Sequence, residues 1–245
     1  MSDPIAPPTA SATGPEMSTA ETLTGIFFEP ARTFEALRAR PRFLVAGLLI
    51  FIMTCIVTAV LYTRVDMAQF IRDRIEQSPR AAQVSEEQKE TQIRIGKTIG
   101  MVFIPLAVPV MIAAGAALYL LGVLAFGGSI NYKKALAVWT YSWLPPSVLG
   151  TFIALLVLFL KSPDSIVPEN LVATNPAALM SPESSKILIA FLRQFDLLRF
   201  FGMFLAALGL RKVAKISSGQ AWGVVIGLWL LGLLLAVGSA AIFGG

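Results

Sequence analysis

Asn131-Tyr-Lys-Lys-Ala-Leu-Ala-Val-Trp-Thr-Tyr-Ser-Trp-Leu-Pro-Pro146 opens an apolar run that continues from Ser147 to Leu160. Positions 135 to 160 are 26 residues without a charge, and a hydrocarbon core about 30 Å thick takes about 20 residues of helix. The stretch is long enough to span a bilayer. Asn131 is a suitable N-cap, Lys133 and Lys134 suit the headgroup level, and Trp139, Tyr141 and Trp143 crowd the entering half, where amphipathic rings prefer to lie. Pro145 and Pro146 remove two backbone donors in mid-span. Such a break is tolerated where neighbouring helices, hydroxyls or water satisfy the freed carbonyls, so this helix belongs inside a bundle.

The remainder of the chain supplies the bundle. Of 245 residues, 56% are apolar and 14% charged, with a mean hydropathy of +0.72, the composition of a multi-spanning membrane protein of one domain. The net charge of +5 comes from basic residues spread over several loops, with the aromatics in apolar runs. That is unlike a surface that reads nucleic acid and suits loops at a membrane surface. Histidine is absent and Cys55 is the only cysteine, which removes imidazole-dependent catalysis, Cys/His zinc sites and internal disulfides. Cys55 reads as a small packing residue, with palmitoylation as the alternative.

Residues 1–22, rich in Pro, Ala, Ser and Thr, read as a disordered tail. No basic segment precedes a short apolar core there, so the tail is not a secretory signal. Residues 23–243 form the membrane domain. In residues 23–40, Leu23, Ile26, Phe27, Phe34 and Leu37 recur at helical spacing around Pro30, with arginines interspersed. This predicts an amphipathic helix on the membrane surface, a plain juxtamembrane linker being the alternative. Spans are predicted at residues 43–62, 99–126, 135–160, 187–210 and 221–243, with helix breaks at Pro105, Pro109, Pro145 and Pro146. Between the first two, residues 63–97 carry seven Lys/Arg and six Asp/Glu, too many for lipid. They read as a helical extramembrane insert of two pieces broken near Ser78-Pro79, the second opened by a capping box at Ser85. Residues 161–186 contain four prolines and read as an extended loop. Ser181-Pro182-Glu183 then reads as a helix start.

Two features of the last spans stand out. Arg193, Asp196 and Arg199, spaced by three, would share one side of the fourth span as an intramembrane charge cluster. Gly219, Gly223 and Gly227 would let the fifth span approach a neighbour closely, the fourth being the expected partner. The turns at residues 127–135 and 211–221 resemble each other, each with Ile, a cap-capable residue and Ala in register (Ile130, Asn131, Ala135; Ile216, Ser217, Ala221), which fits a parallel repeat of two hairpins. Lys/Arg counts tie at nine on each face, but on one face they crowd close to span ends, at Arg38, Arg40, Arg42, Lys133, Lys134, Arg211, Lys212 and Lys215. This predicts a cytoplasmic N-terminus and tight loops, and a C-terminus outside the inner membrane.

Phe28-Glu-Pro-Ala-Arg-Thr-Phe-Glu-Ala-Leu-Arg-Ala-Arg-Pro41, Tyr132-Lys-Lys-Ala-Leu-Ala-Val-Trp-Thr-Tyr-Ser-Trp-Leu-Pro145, and Phe195-Asp-Leu-Leu with Leu208-Gly-Leu and Ser217-Ser-Gly-Gln-Ala221 together resemble the Yip1 domain family over residues 23–243. The Ala…Tyr-Ser-x-Leu-Pro helix is the most specific part. The resemblance implies five membrane spans and a cytoplasmic N-terminus, and in eukaryotic members roles in vesicle traffic with Rab-type GTPases. This chain lacks their Asp-Leu-Tyr-Gly-Pro type of motif, and its insert at residues 63–97 is closer to the prokaryotic-type branch, which has no agreed biochemical activity.

No nucleotide loop, nucleophile with base, cofactor site or metal cluster is found in the sequence. Two functions remain open. One is a non-enzymatic membrane protein that organises the bilayer or scaffolds partners, with lipid, other membrane proteins or a second copy as partners and no nucleic acid. The other is a small transporter or channel, with the four prolines around a midplane site and Arg193, Asp196 and Arg199 as its lining.

Overall fold

The computed structural model describes residues 16–78, 83–181 and 184–243. Most of the expected tail, Pro79 of the insert break, and Pro182 and Glu183 of the expected helix start lie outside the described residues. Those described are helical, with no strand among them. The order is α1 (Thr19–Phe28), α2 (Pro30–Ala39), α3 (Leu44–Arg64), α4 (Met67–Glu76), α5 (Glu86–Ala125), α6 (Tyr132–Leu160), three single 3-10 turns, α7 (Lys186–Leu192), α8 (Leu197–Ala214) and α9 (Ser218–Phe243).

Among the described residues, four helices, α3, α5, α6 and α9, are long and apolar enough to cross a membrane. The fourth predicted span, residues 187–210, is not one helix. It is broken into α7 and α8 between Leu192 and Leu197, and α8 itself carries Arg199, Arg211 and Lys212. The break falls where Asp196 offers a carboxylate to the amides of a new helix, which favours starting one over continuing through.

The four prolines do not divide their helices. α5 runs through Pro105 and Pro109, and α6 through Pro145 and Pro146. Each ring removes one rung of the ladder, two in succession at Pro145 and Pro146, and the helix continues on both sides. In α6 the pair is buried, with Pro146 and Trp143 seated on Gly202 of α8. Pro105 is also buried, and Pro109 is exposed. The second piece of the insert and the second span are likewise one helix. Ser85 Oγ accepts from Gln88 N and Gln88 Oε1 from Ser85 N, and from this capping box α5 extends 40 residues, about 60 Å at 1.5 Å per residue.

Before α3, the structure has two helices where the sequence suggested one. Ser18 and Glu21 form a capping box that starts α1, inside the expected tail, and Pro30 starts α2. Their apolar face turns to protein rather than to lipid. Ile26, Phe34 and Leu37 are fully buried in the same core as Ala46 of α3, Val138 and Tyr141 of α6, and Leu210 of α8. The Thr22 and Tyr141 hydroxyls lie 3.1 Å apart, and Lys212 Nζ meets Glu35 Oε1 at 2.5 Å. This end holds α1, α2, the start of α3, α6 and α9, and the close of α5 and α8: Gln220 Nε2 donates to Phe126 O at 2.8 Å, and Ile216 packs on Gly128. At the opposite end, Arg64 Nε donates to Leu158 O at 3.0 Å, joining the close of α3 to that of α6, and Arg74 of α4 pairs with Glu169.

Candidate functional site

The break between α7 and α8 is assembled from three parts of the chain. Asp196 has extended backbone angles and caps α8, its Oδ1 accepting from Arg199 N at 3.0 Å. Its Oδ2 accepts from Thr174 Oγ1 at 2.6 Å and from Asn175 Nδ2 at 3.3 Å. Leu197 N donates to Thr174 O at 3.1 Å, so the loop after α6 is stitched to the first turn of α8 by backbone as well as side chain. Gln194 Oε1 receives Arg199 Nη1, and Gln194 O accepts the Trp229 indole N–H from α9 at 3.1 Å. Around these polar bonds, Phe195 sits 5.0 Å from Phe191, 5.5 Å from Trp229 and 6.3 Å from Phe200, ring centre to centre. Tilted and edge-on rings at such distances are the preferred arrangements.

The three predicted charges therefore stand in three different settings. Asp196 is a helix cap, Arg199 is held by a neutral amide, and the Arg193 side chain is exposed. No ion pair joins Asp196 to either arginine among the described residues. Sequence spacing assumed an unbroken helix, and the break rotates Arg193 out of register with the others. Thr174 and Asn175 were not singled out in the sequence, because their only signal is a cap-capable pair in a proline-rich loop.

The glycines also differ in setting. A Cβ on Gly223 would stand 2.8 Å from the Phe126 ring, whereas Gly219 and Gly227 have nothing within 4 Å of that position. Other glycines make approaches as close or closer. A Cβ at Gly115 would stand 2.2 Å from Trp139 Cε2, at Gly122 2.5 Å from Val224 Cγ1, and at Gly209 2.8 Å from Phe34 Cε1. These are helix contacts that only a hydrogen side chain permits.

A groove of about 380 Å³ lies away from the break, between α4 and the start of α5, lined by Ile71, Ile75 and Val84 with Arg74 and Gln92. Here Arg72 bonds Glu90 and pairs with Glu86, which raises the guanidinium pKa further. The Lys89 ammonium bonded to Glu86 holds that carboxyl below its usual range. No cluster of acidic or thiol side chains that would hold a metal ion occurs among the described residues.

A family model for the Yip1 domain matches residues 24–239. The chain belongs to the Yip1 domain family. No curated protein and no solved structure matches it. The matched span takes in both tight turns, the α7–α8 break and the second half of α1. In this Yip1 domain, then, the N-terminal hairpin α1–α2 is part of the packed body.

Proposed function

We propose that this Yip1 domain is a non-enzymatic multi-pass protein that organises the bilayer or scaffolds other membrane proteins, in the inner membrane of the cell. Its N-terminal helices and tight turns face the cytoplasm, and the far end of α9 faces outside. The observation that carries this reading is the α1–α2 hairpin. It adds two helices to one end of the bundle, turns its apolar face into protein, and still presents Phe27 and Phe28 outward, the latter 84% exposed. Cross-section added at one end, with aromatic rings at its margin, displaces lipid in one leaflet more than in the other.

The transporter reading draws on the α7–α8 break, since discontinuous helices often hold substrate. Against it, the carboxylate of Asp196 and the guanidinium of Arg199 are both engaged by side chains of this chain. Vesicles reconstituted with rising amounts of protein test the two together. The scaffold reading expects vesicle curvature to rise with protein load and to fall for Phe27→Ser with Phe28→Ser, with no ion or small-solute flux. A flux that Asp196→Asn abolishes in a folded protein would sink it in favour of transport. Single cysteines at Ser129, Ser218 and Ser165 in a Cys55→Ser background test orientation: an impermeant thiol reagent applied outside should label only the last.

A further inference from the structure

The charges at the two ends of the bundle are distributed differently. At the end opposite α1–α2, the described parts of residues 64–97 and 161–186 hold eight Lys/Arg and eight Asp/Glu. At the α1–α2 end, nine Lys/Arg stand against four Glu among the described residues. All four glutamates are already taken: Glu16 by Arg40, Glu29 by Arg32, Glu35 by Lys212, and Glu21 by the Ser18 amide. Arg42 bonds Met17 O and Thr19 Oγ1. This leaves the side chains of Arg38, Lys133, Lys134, Arg211 and Lys215 without a bonding partner among the described residues, with Lys133, Arg211 and Lys215 exposed.

Two of these placements are unfavourable within the fold alone. Lys215 closes α8 in the left-handed conformation, φ +55° and ψ +32°, a position that glycine fills more easily. The other tight turn does use glycine, Gly127 at φ +74°. Lys133 and Lys134 occupy the first turn of α6, which has no acidic residue, so their charge opposes the positive end of the helix dipole.

We infer that this end of the bundle is a docking surface for anionic lipid headgroups, with Lys133, Lys134, Lys215, Arg38 and Arg211 as its phosphate contacts. The chemistry recognised is a phosphodiester with net negative charge in the leaflet that surrounds the α1–α2 end, and the exposed Phe27 and Phe28 mark the depth at which headgroup meets acyl chain. A surplus of cations close to the surface attracts such lipids additively. An anion offsets the dipole penalty by neutralising the lysines at the head of α6, and a headgroup contact gives the left-handed Lys215 a function that glycine lacks. The inference deepens the bilayer-organising reading by naming the lipid class that the protein would gather.

The test is native mass spectrometry of the full-length protein in mild detergent with equal phosphatidylglycerol and phosphatidylcholine, beside melting curves of the same samples. Phosphatidylglycerol should be retained several-fold over phosphatidylcholine, and Lys133→Gln with Lys134→Gln should cut that preference by about fivefold or more. Lys215→Gly should lower the preference while leaving the melting temperature unchanged or raised by a few degrees, a split that a purely structural lysine would not give. Lys97→Gln with Lys161→Gln, at the other end, should change nothing. Equal retention of the two lipids, loss of preference in the control pair, or competition by millimolar glycerol phosphate as strong as that by the lipid would overturn the inference. A flux result against the scaffold reading leaves this lipid preference standing, so the two fail separately.

Discussion

Gly209→Ala is the smallest change that tests how the N-terminal hairpin is held. The added Cβ would stand 2.8 Å from Phe34 Cε1, 2.9 Å from Cζ and 2.9 Å from Val138 Cγ1. Carbon atoms in good contact lie about 3.5–4.0 Å apart, so the ring must move by roughly 0.6–1.2 Å to recover that separation. Phe34 is fully buried and Val138 is fully buried behind it, so neither has open space to enter. Overpacking of this kind costs about 1–3 kcal/mol, which for a chain of this size is roughly 2–12 °C in melting temperature. Phe34→Leu alone should destabilise by vacating space. It also removes the two ring carbons that overlap, leaving one of three close contacts, so the double variant should be more stable than the two single effects predict. A double-mutant cycle on melting temperature in detergent, read beside protease cleavage between α2 and α3, measures that coupling. It should reach about 1 kcal/mol, with cleavage rising in Gly209→Ala. Effects that add to within about 0.5 kcal/mol, or an unchanged Gly209→Ala, would refute the docking of Phe34 into this notch.

Three further outcomes follow from the same geometry. Gly115→Ala should lower the melting temperature because its Cβ would enter the Trp139 ring at 2.2 Å, whereas Gly227→Ala, with nothing within 4 Å, should leave it unchanged; equal losses would remove the distinction between packed and open glycines. Asp196→Ala should cost about 1–2 kcal/mol as a lost cap, with Asp196→Asn losing less than half of that because asparagine caps well. Adding Arg199→Gln to Asp196→Asn should recover no stability; recovery in the melting curve would restore an ionic cluster. The Ser18 backbone N–H holds the Glu21 carboxyl below its usual range. The sign follows from a depressed folded-state pKa: this capping contribution is fully present above the ordinary carboxylate value, about 4.3, and is lost as pH falls through the lower folded value. A spin label at Thr24→Cys in a Cys55→Ser background should stay immobile from pH 7 to about 5 and gain mobility only under stronger acid. Mobility that rises already between pH 7 and 6 would rule Glu21 out as its source.

Strong local signals were legible in the sequence, and long-range partners were not. Asn131 stands as the cap of α6, its Oδ1 accepting from Lys134 N at 2.9 Å, and Ser85 opens α5, because both are side-chain bonds over three residues that sequence alone specifies. The same signature, Ser18-Thr-Ala-Glu21, was present at the head of α1 but sat in a composition that reads as tail. Apolar content carried the fourth predicted span across residues 193–196, although Asp196 directly before Leu197-Leu198 is a helix-start signal. What outweighs continuity there is a loop partner 22 residues earlier, Thr174, whose position no local pattern gives. The spacing of Phe34 and Leu37 marks the buried face of α2, yet periodicity cannot say whether that face meets lipid or protein. That choice rests on Gly209, 175 positions from Phe34 along the chain.

This separation sets the order of events during synthesis. Glu35 and Lys212, paired across the same interface, lie 177 residues apart. At 5–20 residues per second, about 9–35 s pass between making one and making the other. For most of that interval α1 and α2 are made while the surface that buries Ile26, Phe34 and Leu37 is still incomplete, lacking the face of α8. The first helices made are the last to reach their place, and until then a hydrophobic hairpin rests on the membrane or on a chaperone. Truncation before α8 should therefore yield a chain whose N-terminus, rather than its cut end, is the adhesive part.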